Sequence, residues 1–235
     1  MGPESFRFKG AKINKSDYFP RTIALHFLDL RMQQIKNIIF DLGGIFLNIN
    51  FSKTETAFVD LGIKNFSQLY AQHHSSHLFE LLETGKISPE EFHQAFVKES
   101  GVHLSYEQTK TAWNALLLDF PVERLDWLNE IRKRFNTYLL SNTNKIHYEA
   151  FTRSFREQTG IDDFNEYFIK AYYSHEMGLR KPNTDAFLHI LNEQNLKTGE
   201  TLFIDDTLIN IEGAKKVGLQ TIYLAPPKTV LDLTL

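Results

Sequence analysis

The amino-acid sequence predicts an α/β fold: a doubly wound parallel sheet with a small all-helical segment inserted after the first core strand. Three features predict this fold. The apolar, β-branched run at residues 35–40 has the length of a buried strand. Residues 48–119 show helical periodicity without a strand signal. From Pro121 onward, strand-like segments alternate with helical ones, which is typical of a parallel sheet covered by helices on both faces.

Composition and charge are those of an ordinary globular protein. Of the 235 residues, 42% are hydrophobic and 23% are charged, and the formal net charge is -3. This charge gives no electrostatic case for binding nucleic acid or an acidic membrane, and no apolar run is long enough to span a bilayer. The absence of cysteine excludes disulfides, thiolate metal sites and a cysteine nucleophile, and we expect a cytoplasmic location. The oligomeric state leaves no signal in the sequence.

The first 31 residues are expected to be a non-essential extension. They are polar up to Arg21 and lack periodicity. The apolar patch at residues 22–30 contains His26 and Asp29 and runs into Arg31, which is not the pattern of a secretory signal peptide. Met32 leads directly into the first strand, and we expect it to be the natural start of the chain.

The first strand ends in a carboxylate followed by two glycines. Asp41 comes directly after residues 35–40, and Gly43 and Gly44 lie within the next three positions. Glycines let the backbone turn sharply and approach a ligand closely. Because chemistry in open α/β sheets takes place beyond the carboxyl ends of strands, these three residues are candidates for a functional site. The alternative is that Asp41 only caps the turn.

The inserted segment carries its clearest helix signal at Ser88. Ser88 is a typical N-cap, Pro89 suits the first helical position, and Glu91 completes a capping box. Gly101 is expected to end this helix, and residues 105–118 are expected to form the next one.

Two histidines of the same segment have the spacing of a metal-binding pair. His73 and His77 are four residues apart and would share one face of a helix. No third ligand is evident nearby and the neighbouring residues are polar, so a solvated helix face is the favoured interpretation.

The second half of the chain is predicted to alternate strictly between helices and strands. The predicted helices cover residues 122–135, 146–158, 183–195 and 208–217. The predicted strands cover residues 137–143, 167–172, 201–206 and 220–224, and residues 177–182 are expected to form a loop.

Reactive side chains lie at the ends of three predicted strands. These are Asp41, Ser141 and the pair Asp205 and Asp206, and the loop adds Lys181. In a parallel sheet such strand ends share one rim. Carboxylates without sulfur or clustered imidazole suit a hard cation such as Mg²⁺, and a hydroxyl with a lysine can hold a phosphate. A carboxylate can also act as a nucleophile and form an aspartyl-phosphate.

Each of these residues also has a purely structural interpretation. Ser141 and Asn142 could cap the helix that begins near Lys145. Lys181 could belong to an ordinary loop, and Asp206 could cap the helix that starts near residue 208. The order in which the residues occur decides between the two interpretations.

That order resembles the four motifs of the haloacid dehalogenase (HAD) superfamily. The matching segments are FDLGG at 40–44, LLSNT at 139–143, the lysine of GLRKP at 178–182 and FIDD at 203–206. The resemblance covers residues 32–224. It implies a hydrolase with a Rossmann-like core at residues 32–47 and 120–235 and a helical cap of the C1 type at residues 48–119.

The resemblance also implies a role for each motif residue. Asp41 would be the nucleophile, and Lys181 would neutralise charge on it and on the transferred phosphoryl group. Ser141, with Asn142 beside it, would bind a phosphoryl oxygen, and the two glycines would let the backbone approach the substrate. The Mg²⁺ ligands would be Asp41, the backbone carbonyl of Gly43, Asp205 and Asp206.

One position departs from the family pattern. The phosphatases and mutases usually have an acid/base aspartate two residues after the nucleophile, and this chain has Gly43 there. Such proton transfer typically contributes about 10²- to 10⁴-fold to the rate. The chain also has Asn210 where an acidic residue is common.

Three functions remain open on this pattern. The favoured one is a Mg²⁺-dependent phosphatase of a small phosphorylated metabolite, such as a sugar phosphate with a good leaving group. A haloacid dehalogenase and a phosphate-binding protein without turnover are the alternatives. Metal dependence, halide release and phosphate binding without hydrolysis distinguish them. The cap is expected to select the substrate, with Phe46, Phe51, His73 and His77 as candidate lining residues.

Overall fold

The computed structural model describes residues 34–64, 66–71, 74–75 and 77–235. The predicted extension at residues 1–31 and one of the paired histidines, His73, lie outside these residues. Within the described part of the chain, no helix combines the length and apolarity needed to cross a membrane.

A five-stranded parallel sheet forms the centre of the described structure, so the predicted α/β fold is confirmed. The strand that comes first in the chain lies in the middle of the sheet. From one edge to the other, the strands are Lys170–Tyr173, Asn136–Ser141, Asn37–Phe40, Thr201–Asp205 and Gln220–Tyr223.

The register of the strands brings their carboxyl ends to one edge of the sheet. Phe40, the last residue of the central strand, pairs with Leu139 on one side and with Ile204 on the other. Asp41 therefore lies at the same edge as Ser141 and Asp205, which end the two neighbouring strands. This edge is called the rim below.

Burial explains why three of the four residues of the central strand are apolar. All four are buried, as is typical of the central strand of a parallel sheet. The helices that belong to the sheet region are Val122–Ile131, Lys145–Thr159, Ser174–Met177, Thr184–Glu193 and Leu208–Lys216.

The segment between the first two strands of the sheet is mainly helical. Its helices are Phe51–Asp60, Phe66–Leu69, His77–Glu83, Pro89–Ser100 and Tyr106–Asn114. The structure adds a short antiparallel hairpin to the predicted helices, in which Tyr70–Ala71 pairs with His74–Ser75. Two residues per strand are too few to leave a recognisable pattern in the sequence.

An aromatic core holds these inserted helices together. Phe58 stacks on Phe66 with ring centroids 4.6 Å apart, and Phe92 stacks on Phe96 at 5.6 Å. Trp113 is buried among them, and Ile146, from the helix after the second strand of the sheet, belongs to the same cluster. Five of the chain's 20 phenylalanines belong to this small core, in which each ring buries a large apolar area.

The helix signal at Ser88 is confirmed in detail. The Ser88 hydroxyl accepts from the Glu91 amide, the Glu91 carboxylate accepts from the Ser88 amide, and Pro89 opens the helix. Gly101 ends it in the left-handed conformation, with φ of 70°.

The next helix ends four residues earlier than predicted, because the chain pairs with itself there. The helix ends at Asn114, and the following residues run antiparallel to the segment that enters the insertion. Asn50 N–H donates to Leu116 O at 2.8 Å, and Leu118 N–H donates to Asn48 O at 3.0 Å. These two segments, residues 48–50 and 116–119, are called the strap below.

Several further boundaries differ from the prediction. The helix predicted at residues 122–135 ends at Ile131. A 3-10 turn, Phe164–Tyr167, takes the place of the start of the strand predicted at residues 167–172. The Asp163 side chain caps this turn and Phe164 is buried in it. The loop predicted at residues 177–182 follows a four-residue helix, Ser174–Met177.

Candidate active site

Three carboxylates meet at the rim. Asp41 follows the central strand, and Asp205 and Asp206 lie at the end of its neighbour. Each of the three offers an oxygen atom that lies within 4.8 Å of those of the other two. Within the described residues, this is the cluster of His, Cys, Asp and Glu side chains suited to holding a metal ion.

Lys181 bridges two of these carboxylates. Its Nζ lies 2.6 Å from Asp41 Oδ1 and 2.7 Å from Asp205 Oδ2. The side chain is only 1% exposed, so these two contacts supply the charge partners that a buried ammonium group requires. Lys181 is therefore part of the carboxylate cluster, and the interpretation of it as an ordinary loop residue is wrong.

Asn142 holds the backbone of Lys181 in place. Its side-chain amide donates to Lys181 O at 2.8 Å and accepts from Lys181 N–H at 2.9 Å. The cap of the following helix is Asn144, whose side chain accepts from His147 N–H at 3.1 Å. Asn142 thus ties the loop to the rim, and the helix-capping interpretation of Ser141 and Asn142 is wrong.

Asp205 is fixed by donors from the helix that follows it. Its carboxylate accepts from Thr207 N–H at 2.7 Å and from the Asn210 side-chain amide at 3.2 and 3.1 Å. The residue is 0% exposed. Asn210 thus occupies the position where an acidic residue is common in the family and uses a neutral amide to orient Asp205. The N-cap of this helix is Thr207, so the capping interpretation of Asp206 is wrong.

The carboxylates of the rim carry more negative charge than Lys181 balances. Burial, together with the neighbouring carboxylates, raises the pKa of Asp41 to about 7, although Lys181 opposes the rise. Burial and the charge of Asp205 likewise raise the pKa of Asp206 to about 6. Burial would lower the pKa of Lys181, but the attraction of Asp205 and Asp41 raises it. The three carboxylates form an all-oxygen donor set whose negative charge exceeds the single positive charge of Lys181, which suits a divalent cation.

The absence of a side chain at Gly44 leaves the space that the Asp206 carboxylate occupies, and the substrate contact of this glycine stays a prediction. Its φ is +74°, and a Cβ atom there would lie 2.0 Å from Asp206 Oδ2. Its amide donates to Leu47 O at 2.9 Å, and Gly44 lines neither of the cavities described below. Glycine is needed here for the backbone conformation and for the space.

Gly43 faces an apolar neighbour. A Cβ atom at this position would lie 3.1 Å from Ile49 Cδ1. Ile49 therefore fills the space next to the position at which the phosphatases of the family usually carry their acid/base aspartate.

A cavity of about 260 Å³ opens above the rim. It is lined by Asp41, Gly43, Ile49, Phe51, Glu83, Ser141, Asn142, Arg180, Lys181, Pro182, Asp206, Thr207, Ile209 and Asn210. The predicted lining by Phe51 is confirmed. Phe46 is a wrong prediction, since it is buried in the core against Phe40 at 5.2 Å between ring centroids. His77 is exposed and lines neither cavity, and His73 lies outside the described residues.

A second cavity of about 100 Å³ adjoins the first and is more apolar. Its walls include Trp113, His147 and Phe151. Burial lowers the pKa of His147 to about 3, so this imidazole stays neutral, and its Nδ1 lies 2.9 Å from Asn114 Oδ1. The two cavities share Gly43, Ile49, Phe51, Glu83, Ser141 and Asn142.

Two charged residues of the first cavity escaped the sequence analysis. Arg180 Nη2 lies 3.0 Å from Glu83 Oε2, so an ion pair connects the last residue of an inserted helix to the loop of Lys181. Burial raises the pKa of Glu83, and Arg180 opposes this rise. The adjacency of Arg180 to Lys181 was a usable signal, whereas Glu83 looked like the polar end of an apolar helix.

Comparison with known proteins places the chain in a family. A sequence profile of haloacid dehalogenase-like hydrolases matches residues 35–218. The chain belongs to this family. The resemblance drawn from the four motifs is thereby confirmed, and the protein is a hydrolase.

Two relatives of this HAD hydrolase carry the names of phosphatases. A D-ribitol-5-phosphate phosphatase of Bacteroides thetaiotaomicron is 34% identical over 188 residues, which are 80% of this chain and 90% of the relative. A sesquiterpene phosphatase of Aspergillus oryzae is 25% identical over 191 residues, which are 80% and 89% of the two chains.

Solved structures agree with the assignment to the HAD family. A variant of a HAD family enzyme from Bacteroides thetaiotaomicron, in complex with magnesium and inorganic phosphate, is 31% identical with a TM-score of 0.78. That match covers 83% of this chain and 96% of the other. A HAD-like hydrolase of Porphyromonas gingivalis is 30% identical with a TM-score of 0.75, over 83% and 93% of the two chains.

Proposed function

We propose that this HAD hydrolase is a magnesium-dependent phosphomonoesterase of a small sugar phosphate or sugar-alcohol phosphate, acting through an aspartyl-phosphate. The observation that carries the proposal is the contact of Lys181 with both Asp41, which lines the first cavity, and the buried Asp205. It holds a carboxylate nucleophile beside a fixed positive charge, which is the arrangement that phosphoryl transfer requires. The relative named as a D-ribitol-5-phosphate phosphatase supports the substrate class.

Asp41 is the proposed nucleophile. Lys181 engages its Oδ1, so we assign the attack on phosphorus to Oδ2. The new bond from this oxygen to phosphorus forms as the bond from phosphorus to the substrate oxygen breaks, and the departing alkoxide takes up a proton to give an alcohol. Water then attacks the phosphorus, its proton is released, and the Asp41 carboxylate and inorganic phosphate are formed.

The other residues of the rim position the phosphoryl group. The Ser141 hydroxyl is assigned to a phosphoryl oxygen, since Ser141 lines both cavities beside Asp41. Lys181 neutralises negative charge at the group in transfer. Asn142 acts through Lys181, because both hydrogen bonds of its side-chain amide go to the backbone of that residue.

A bound magnesium ion supplies further charge neutralisation at the phosphoryl group. The residues that would hold it are Asp41, Asp205 and Asp206, with the backbone carbonyl of Gly43. The donor set fits a hard cation, since it consists of oxygen atoms and carries excess negative charge after Lys181 has been counted.

Phosphate release tests the proposal. Purified protein is incubated with an activated aryl phosphate and then with a panel of sugar and sugar-alcohol phosphates, with MgCl₂ or with EDTA. We expect release that requires magnesium and that is lost in Asp41→Asn with the fold intact by circular dichroism. Glu130→Gln is the control and must retain full activity, because Glu130 belongs to an exposed ion pair and lines neither cavity. Full activity of Asp41→Asn would refute the nucleophile assignment.

The same assays separate the proposal from its alternatives. Halide release from a short 2-haloacid, without phosphate release, would favour a dehalogenase. Phosphate binding without hydrolysis of any substrate would favour a binding protein. The cluster of three carboxylates at the rim supports phosphoryl chemistry, because a cation is needed to hold these anions together.

A further inference from the structure

The ion pair between Glu83 and Arg180 lies at the point where the inserted helices face the rim. Glu83 is the last residue of the helix His77–Glu83, and Arg180 directly precedes Lys181 in the chain. Both residues line the cavity that contains Asp41 and Asp206, and Glu83 also lines the adjoining apolar cavity. The pair therefore lies in the wall of the cavity that contains the proposed phosphoryl site, and Glu83 borders the second cavity as well.

The pair is largely shielded from solvent but still reaches the cavity. The side chains of Arg180 and Glu83 are 20% and 14% exposed. Glu83 Oε2 lies 3.0 Å from Arg180 Nη2, and this oxygen makes no hydrogen bond within the described structure. The contact is thus an ion pair without hydrogen-bond geometry. Because Glu83 Oε2 is itself buried, a ligand in the cavity would contact Glu83 at its other carboxylate oxygen, Oε1.

The chemistry of the pair points to hydroxyl groups as its ligands. A carboxylate accepts hydrogen bonds from hydroxyls, and a guanidinium donates to their oxygen atoms. Because the two charges compensate each other, the pair has no net attraction for a second anionic group. Hydroxyls, each a donor and an acceptor, can contact both members at once, whereas an alkyl chain offers a hydrogen bond to neither of them in the closed site.

We infer that Glu83 and Arg180 are specificity-determining residues that bind the hydroxyls of the substrate next to its phosphorylated carbon, and so select polyol phosphates over alkyl phosphates. This inference rests on the proposed phosphatase function. The alternative is that the ion pair is only structural and holds the inserted helices against the loop of Lys181. Loss of a purely structural contact would lower kcat/KM for every substrate alike. Loss of a residue that binds hydroxyls would lower it only for substrates that carry hydroxyls.

Two phosphomonoesters of equal chain length distinguish these roles. Ribitol 5-phosphate and n-pentyl phosphate both release a primary alcohol, and they differ in the hydroxyls of the chain. We expect kcat/KM of the native protein to favour ribitol 5-phosphate. In Glu83→Ala this preference should fall by a factor of about 10 or more, which corresponds to the loss of one or two hydrogen bonds to a charged group.

Two further variants sharpen the comparison. Glu83→Gln keeps the shape and one acceptor oxygen, so it should retain more of the preference than Glu83→Ala. Arg180→Lys keeps the charge but loses the planar set of donors, and it should also lower the preference. Glu99→Gln is the matched control, since Glu99 is an exposed glutamate of the inserted helix Pro89–Ser100 that lines neither cavity.

Two kinetic outcomes would overturn the inference. An equal loss of kcat/KM on both substrates would show that the ion pair has only a structural role. A loss that follows the leaving-group pKa of the substrate and not its hydroxyls would show a proton donor.

If the native protein hydrolyses neither these two esters nor any phosphate of the panel, the proposed function fails. Calorimetry of both esters with the magnesium-loaded native protein then decides the inference separately. The inference is supported if the native protein binds ribitol 5-phosphate more tightly than n-pentyl phosphate and Glu83→Ala abolishes this difference. Equal binding of the two esters, or binding of neither, refutes the inference.

Discussion

The side-chain amide of Asn142 binds both the N–H and the carbonyl of Lys181, at 2.9 and 2.8 Å. Asn142 follows the strand Asn136–Ser141, so the sheet itself sets the position of a loop residue that is 39 positions away in the chain. The position of the buried Lys181 ammonium group is fixed by the same sheet, since its two carboxylate partners lie at strand ends of that sheet. A rigid element thereby places the loop residue of the reaction centre.

Replacing Asn142 by alanine should impair catalysis more than folding. Each lost hydrogen bond lowers the free energy of unfolding by about 1 kcal/mol, and displacement of Lys181 should lower kcat by about 10-fold or more. Steady-state kinetics and urea unfolding measure the two effects. Asn192→Ala, an exposed asparagine on the helix Thr184–Glu193, serves as the control. A folded Asn142→Ala protein with native kcat would contradict the positioning role.

Gly44→Ala should be more harmful than Gly101→Ala, although both glycines have nearly the same backbone conformation. Their φ angles are +74° and +70°, so an added Cβ strains both by about 1 kcal/mol. At Gly44 the Cβ would also lie 2.0 Å from Asp206 Oδ2. At Gly101, apart from its chain neighbours, no atom of the described residues would lie within 4 Å of the Cβ. We therefore expect a larger loss of thermal stability and weaker magnesium binding in Gly44→Ala alone. Equal effects in both variants would argue against the contact with Asp206.

Introducing an aspartate at Gly43 should require space that Ile49 now fills. A Cβ at Gly43 would lie 3.1 Å from Ile49 Cδ1, so Gly43→Asp alone must displace this side chain. In the background of Ile49→Ala, Gly43→Asp should raise kcat for primary alkyl phosphates by about 10-fold or more, because a proton donor then assists the leaving group. The comparison is with Ile49→Ala by itself. No gain in the double variant would indicate that another group already supplies the proton.

Magnesium should stabilise the protein more at about pH 8 than at about pH 5. In the metal-free protein the pKa of Asp41 is about 7 and that of Asp206 about 6, both above the ordinary value of 3.8. A raised carboxyl pKa means that the folded state binds protons more tightly, so this contribution to stability is complete below the ordinary pKa and is lost as the pH rises through the folded value. Magnesium binds the ionised form and offsets the loss.

Thermal unfolding with EDTA or with saturating MgCl₂ across this pH range tests the linkage. The rise in melting temperature on adding magnesium should grow with pH, and Asp41→Asn should weaken this dependence. A rise that is independent of pH, or larger in acid, would show that the carboxylates of the rim are not the groups to which magnesium binding is linked.

The sequence was sufficient to predict the parts of the site that strand order determines. Asp41, Ser141 and Asp205 were expected at one edge because carboxyl ends of parallel strands share an edge, and the register places them there. The capping box at Ser88 was equally predictable, since all its contacts lie within four residues.

Contacts between distant segments could not be predicted in this way. Nothing in local periodicity shows that Glu83 meets Arg180, or that Ile49 packs against Gly43. Phe46 was expected to line the cavity, but the turn at the preceding glycines directs it into the core. Such side chains are placed by tertiary packing, which a pattern of apolar residues specifies only in part.

The strap has a consequence for how this protein can change over time. Asn48 and Leu118 are neighbours in a ladder, so the insertion leaves and rejoins the sheet region at points about 5 Å apart. The insertion is thus a loop whose two ends lie close together. The entropic cost of closing such a loop grows only with the logarithm of its length. The inserted helices can therefore lengthen, shorten or be exchanged with little effect on the sheet and on the side chains at its rim.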